Sequence, residues 1–202
     1  MPRLFFAAAV PAALAAEIAA LQQHLRRRGY RGSFPDPAGL HLTFAFLGEV
    51  PEQHIPALTR LLEATAAATP PSALWLSRWG RFGPPGEPHV LWVGPGRVPG
   101  VLRGLQRQLE AGAAAIRAVP AADPRPWQPH ITVLRPRPPV PSAPLPPWRP
   151  RRLAVTAIGL YLSQATPGGR RYTLLAAAGL GGDPTPADDG GAAPPAPDRG
   201  HG

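Results

Sequence analysis

GLHLTFAFLG, residues 39–48, and QPHITVLRP, residues 128–136, decide how this chain is read. Each stretch carries the same short pattern, His41-Leu42-Thr43 in the first and His130-Ile131-Thr132 in the second. Their apolar, aromatic and β-branched composition predicts a strand in each case. Side chains on a strand alternate faces, so His and Thr share one side while Leu42, Phe44, Ile131 and Val133 share the other. Two such strands facing one cleft present two imidazoles and two hydroxyls to it.

Those groups suit metal-free acid/base chemistry at phosphorus. Opening a cyclic phosphodiester needs a base for the attacking water and an acid for the departing oxygen. Histidine can be neutral in one copy and protonated in the other near neutral pH. Thr hydroxyls on the same face can donate to phosphate oxygens as charge builds there. With six His and nine Thr in 202 residues, chance placement yields roughly 0.3 His-x-Thr matches. Two matches, both inside apolar runs and 89 residues apart (130 − 41), favour catalytic over merely structural histidines.

The chain resembles the two-histidine phosphoesterase superfamily, in its RNA 2',3'-cyclic phosphodiesterase (2'-5' RNA ligase) branch. The resemblance rests on Arg3-Leu4-Phe5-Phe6-Ala7, His41 to Gly48, Val90 to Gly94, Pro129 to Arg135, and Arg171-Tyr172-Thr173, in order from residue 3 to about 180. It implies an α+β, bilobal fold: two pseudo-symmetric lobes of antiparallel strands, with outer helices, around a central cleft. It also implies hydrolysis of RNA 2',3'-cyclic phosphate ends to 2'-phosphomonoesters, with 2'-5' ligation as the reverse sense. His41 then corresponds to the proton donor to the leaving 3' oxygen and His130 to the acceptor that activates water. Thr43 and Thr132 correspond to phosphate binders, and Arg135 to the basic residue that neutralises the phosphate. No cofactor or metal is implied.

Arg135 is less direct when read from the strand alone. It stands five residues after His130, so a regular strand puts it on the opposite face, and it reaches the phosphate only where the strand ends or twists near Leu134. Pro136 favours such an ending; the alternative is a solvated arginine at a strand end.

Composition narrows the rest. The 202 residues with 44% hydrophobic content support a sizeable core in one domain of two lobes, residues 1–180. Absence of cysteine excludes disulfides and thiol catalysis and removes the ligands of most structural zinc sites. His24, His54, His89 and His201 show no metal-ligand spacing. Net charge is +9 with no lysine at all beside 31 Pro and abundant Ala and Gly, which points to a GC-rich coding bias and makes the arginine count alone poor evidence for nucleic-acid binding; the positive sign still attracts polyanions such as RNA in a salt-dependent way. Arg26-Arg27-Arg28 with Arg31 is the densest basic run, read as a solvated helix end in preference to an RNA contact.

Along the chain, periodicity predicts a strand at 3–9 and a helix at 11–28 with Leu14, Ile18, Leu21 and Leu25 on one face. The first motif strand follows at 40–47, then a helix at 51–68, strands at 72–79 and 88–94, and a helix at 99–117. After the second motif comes a proline-rich loop at 136–150, then strands at 153–163 and 170–177 forming a closing hairpin around Pro167-Gly168-Gly169. The tail, 181–202, is Gly, Pro, Ala and Asp without an apolar period and reads as disordered. Residues 4–16 mimic a secretory signal, but Pro11 interrupts the run and the amphipathic pattern continues to Arg28. A cytoplasmic monomer without a membrane span is expected. Two other functions compete: a non-catalytic RNA-binding module, and the same chemistry on small cyclic nucleotides or 2'-5' oligonucleotides.

Overall fold

The computed structural model describes residues 1–84, 86–116, 126–141, 144–167 and 169–182. In chain order the elements are β1 (Arg3–Ala9), α1 (Ala12–Arg27), β2 (Gly32–Ser33), β3 (His41–Glu49), α2 (Ile55–Ala67), β4 (Ser72–Phe82), β5 (Val90–Pro95), α3 (Gly100–Ala115), β6 (Ile131–Pro136), β7 (Arg151–Val155), β8 (Ala157–Thr166) and β9 (Gly169–Gly179). Two antiparallel sheets result, a four-stranded one in the order β3-β1-β8-β9 and a five-stranded one in the order β2-β6-β5-β4-β7. The class is α+β and the architecture bilobal, one motif strand in each sheet.

Helix α1 shows why these residues take this form. Pro11 precedes it with φ −58°, already suited to a helix entry. Leu14, Ile18, Leu21 and Leu25 recur at helical spacing and are buried. His24, Arg26 and Arg27 fill its last turn, where the helix dipole favours positive charge. Gly29 ends it in the left-handed region at φ 82°, a conformation a Cβ disfavours. The helix packs on β6, whereas α2 lies against β8 and β9, and α3 against β3.

Each helix therefore covers a sheet without respecting the order of the chain. The four-stranded sheet joins the N-terminal strands β1 and β3 to the C-terminal β8 and β9, and β4 to β7 fall in the other. Motifs 89 residues apart meet because β3 and β6 come into contact without pairing. A single core cluster runs through both lobes, with Leu42, Phe44, Ile131 and Val133 at no more than 1% exposure. Truncating such a side chain, as in Phe44→Ala, costs about 3–5 kcal/mol.

The closing hairpin differs from the sequence expectation. Its strands β8 and β9 pair as expected, but the predicted strand at 153–163 is two strands in two sheets: β7 pairs with β4 and β8 with β1. Inward-facing residues are Leu153 and Val155 before Thr156, and Ile158 and Leu160 after it, so the alternation slips by one. The Thr156 carbonyl accepts from the Leu180 amide at 2.8 Å instead of continuing a ladder. The short β2, which pattern reading did not anticipate, pairs with the end of β6. Of the tail, Gly181 and Gly182 donate to the Ala66 and Thr69 carbonyls at 3.1 Å each; residues 183–202 lie outside the described residues. Among the described residues no helix is long and apolar enough to cross a membrane.

Candidate active site

His41 opens β3 and His130 immediately precedes β6. In both, the Nδ1–H donates to the carbonyl two residues back: Gly39 at 2.7 Å for His41, Gln128 at 2.8 Å for His130. A carbonyl oxygen only accepts, so each bond fixes the proton on Nδ1 and leaves Nε2 as the nitrogen that can take or give a proton. Both imidazoles line one cavity of about 70 Å³, together with Thr43, Thr132, Arg135 and Tyr172. All five residues singled out in the sequence are therefore brought together.

Arg135 arrives by a route that neither a strand ending nor a simple twist describes. Strand β6 runs on through Pro136, but its register against β5 shifts: Thr132 pairs with Trp92 and Leu134 with Leu91, leaving Val133 as an extra residue. This β-bulge lets Val133 and Leu134 both face the core and returns Arg135 to the side of Thr132. The first motif does the same. Thr43 pairs with Ala7 and Ala45 with Phe6, Phe44 is the extra residue, and Phe44 and Ala45 are both buried. Each bulge falls directly after the motif threonine.

Two side chains far away in sequence hold the bulged backbones. Gln22 of α1, 2% exposed, donates from Nε2 to the Val133 carbonyl at 3.2 Å and to the Pro35 carbonyl at 2.9 Å. Trp127 donates from Nε1 to the Thr43 carbonyl at 3.0 Å and stacks on Phe44 with ring centroids 5.4 Å apart. Thus a residue just before the second motif clamps the first.

Aromatic rings pack each imidazole. Phe5 and Tyr172 lie 4.8 Å from His41, and Phe82 at 4.8 Å and Trp92 at 5.9 Å from His130. The indole of Trp92 covers Gly80 and Gly94, where any side chain would collide with it. Burial among these rings pushes both histidines below the usual 6.5, only partly offset by the carbonyl hydrogen bonds. The Arg135 charge lowers both further, and a charged His130 lowers His41. The two imidazoles therefore share a single proton more readily than they hold two. Among the described residues no cluster of three or more His, Asp or Glu could hold a metal ion. Gln22, Trp127, Phe82 and Tyr172 were not assigned to the site from sequence; the bulges that make Gln22 matter have no signature in one strand alone.

Comparison with known proteins fits this geometry. The model of the 2'-5' RNA ligase superfamily matches residues 10–165. The chain belongs to that superfamily. Among curated members, the RNA 2',3'-cyclic phosphodiesterase of Thermus thermophilus is 34% identical over 187 residues, covering 90% of this chain and 91% of the relative. The protein of that name in Escherichia coli is 36% identical over 180 residues, covering 86% and 93%. Superfamily structures agree: a crystal structure of a Thermus thermophilus protein superimposes with a TM-score of 0.77 at 31% identity, covering 90% of this chain and 99% of its own. Escherichia coli LigT complexed with 3'-AMP does so at 0.69 and 34% identity, covering 89% and 99%.

Proposed function

We propose that this superfamily member hydrolyses RNA 2',3'-cyclic phosphate ends to 2'-phosphomonoesters by two-histidine acid/base catalysis. The observation that carries the reading is that both His-Thr pairs and Arg135 surround one small cavity. In it, water attacks phosphorus opposite the 3' oxygen and gives its proton to Nε2 of His130. The P–O3' bond breaks, and Nε2–H of His41 protonates the departing oxygen, leaving a 3' hydroxyl and a 2'-phosphate. Thr43 and Thr132 donate to the non-bridging oxygens, and Arg135 offsets their growing negative charge. A 5' hydroxyl of another RNA in place of water gives a 2'-5' bond by the same steps. One chain supplies both motifs to the cavity, which supports a monomer; the proposal places it in the cytoplasm.

The test is incubation in EDTA with a short RNA ending in a 2',3'-cyclic phosphate, reading product mass and phosphate position beside a His41→Ala control. Wild-type conversion to the 2'-phosphate, lost in the control, is expected. A 3'-phosphate product would reverse the proposed regiochemistry, and no conversion by folded protein would leave a binding module as the better reading.

A further inference from the structure

The cavity is small, so a substrate held there by its terminal phosphate must lay the rest of its chain on the protein outside it. The edge formed by β2 and β6 carries exposed arginines next to the cavity-lining Arg135. Ser33 pairs with Arg135 and Gly32 with Pro136, and the Arg137 amide donates to the Arg31 carbonyl at 2.9 Å. Arg31 thus stands opposite Arg137, and Arg137 follows Arg135 by two residues, roughly 7 Å along the strand. Both are exposed, and among the described residues neither side chain has a hydrogen-bonded or ionic partner. A Cβ at Gly169, the first residue of β9, would lie 3.7 Å from Ser33 Oγ, and the exposed Arg170 and Arg171 follow it.

The surrounding chain does not neutralise this edge. From Pro124 to Gly182 the sequence has eight arginines and no Asp or Glu. The acidic residue nearest to Arg31 in the sequence is Asp36, whose carboxylate accepts from the Ala38 amide at 3.0 Å. The basic run at the end of α1 divides into parts. Arg26 stacks on Phe34 at 4.0 Å and Arg28 donates to the Pro144 carbonyl, so those two have partners of their own, while Arg31 stands across from Arg137, two residues beyond the cavity-lining Arg135.

We propose that Arg31 and Arg137, extending the line begun by Arg135, form a backbone track for the single-stranded RNA behind the reacting end. The surface makes an oligonucleotide a better substrate than a cyclic mononucleotide. This inference rests on the function proposed above. An arginine pair without a neutralising acid attracts successive phosphates by charge, independently of base identity.

The experiment compares Arg31→Gln/Arg137→Gln with wild type, using a short oligoribonucleotide ending in a 2',3'-cyclic phosphate and 2',3'-cyclic AMP. In the variant, the ratio of kcat/KM for the oligonucleotide to that for the mononucleotide should fall several-fold. The slope of log(kcat/KM) against log[salt] for the oligonucleotide should flatten by about 1.4, since each single-strand phosphate contact contributes ~0.7. An unchanged ratio and salt slope would overturn the track. Should wild type turn over neither substrate, the catalytic reading fails separately. Anisotropy of a labelled oligonucleotide carrying a 2'-phosphate, wild type against variant, then still decides the track: equal affinity overturns it and weaker, less salt-sensitive variant binding supports it.

Discussion

The Gln22 side-chain amide donates to the Val133 backbone carbonyl across 111 positions of sequence. Val133 is the extra residue of its bulge, and an extra residue leaves the ladder's regular pairing. A buried carbonyl without a donor is costly, and Gln22 supplies that donor while its second N–H holds Pro35 at the cavity wall. The bulge in turn is what places Arg135.

Replacing the amide by an apolar side chain of similar size should therefore be felt twice. Gln22→Leu leaves two carbonyls unsatisfied and is expected to cost about 1–3 kcal/mol in stability. It should also weaken phosphate binding through Arg135, seen as a raised Ki for inorganic phosphate. Denaturant unfolding and inhibition assays check this; loss of stability with an unaltered Ki would show that the bulge stays in place without the amide.

Gly32 marks the other support of Arg135. Its φ is 140°, and any Cβ there would strike the Arg135 carbonyl and Pro136. Gly32→Ala should force β2 off the end of β6, lowering kcat/KM more than Gly32 contributes to overall stability, because the two-residue strand β2 lies at the sheet edge. Parallel melting and activity measurements decide it, and wild-type activity would mean that the β2 pairing is dispensable.

Trp127 ties the two motifs together, and its bond can be removed with little loss of apolar volume. Trp127→Phe deletes the donor to the Thr43 carbonyl and should lower kcat while leaving the protein folded. A fall in melting temperature with kcat intact would assign Trp127 to packing alone.

What could be read from sequence followed from period. The face of α1 bearing Leu14, Ile18, Leu21 and Leu25, and the buried faces of both motif strands, depend on residues near one another in the chain. What escaped was set by partners. The bulges at Phe44 and Val133 exist only relative to β1 and β5, so the reach of Arg135 looked like a matter of where its strand ended. The slip at Thr156 likewise separates two sheets within a stretch whose composition is uniformly strand-like. The basic run at the end of α1 is exposed, as its reading as a solvated helix end expects; that Arg31 stands across from Arg137, more than a hundred residues away, is set by a partner that periodicity cannot show.

The histidines themselves give the plainest expectation. His41→Ala and His130→Ala should each lower turnover by about 10²–10⁴-fold with the fold intact. Circular dichroism and single-turnover kinetics on the cyclic-phosphate RNA check both, and full activity in either variant excludes that residue from the chemistry.

Their proton affinities set the pH dependence. Both are held below 6.5 by burial first and by the Arg135 charge besides, and His130 when charged holds His41 lower still. A catalyst needing one neutral and one protonated imidazole is then most active where a single proton is bound, so the optimum of kcat/KM should lie on the acid side of 6.5. The repulsion between two imidazoliums is mutual, so the proton on one ring disfavours a second on the other. A bound phosphate anion favours both imidazolium forms and should shift the kcat profile upward from that of kcat/KM. The same shifts bear on stability. Between the depressed values and 6.5 the unfolded chain binds more protons than the folded one, so stability is complete above 6.5 and declines as pH falls through that window. Inorganic phosphate should reduce the decline, and His41→Ala/His130→Ala should flatten it. Proton NMR titration of the two rings, with thermal melts across the same range, measures all of this; either ring titrating above 6.5 in the free enzyme, or stability that rises as pH falls, would contradict the depressed values.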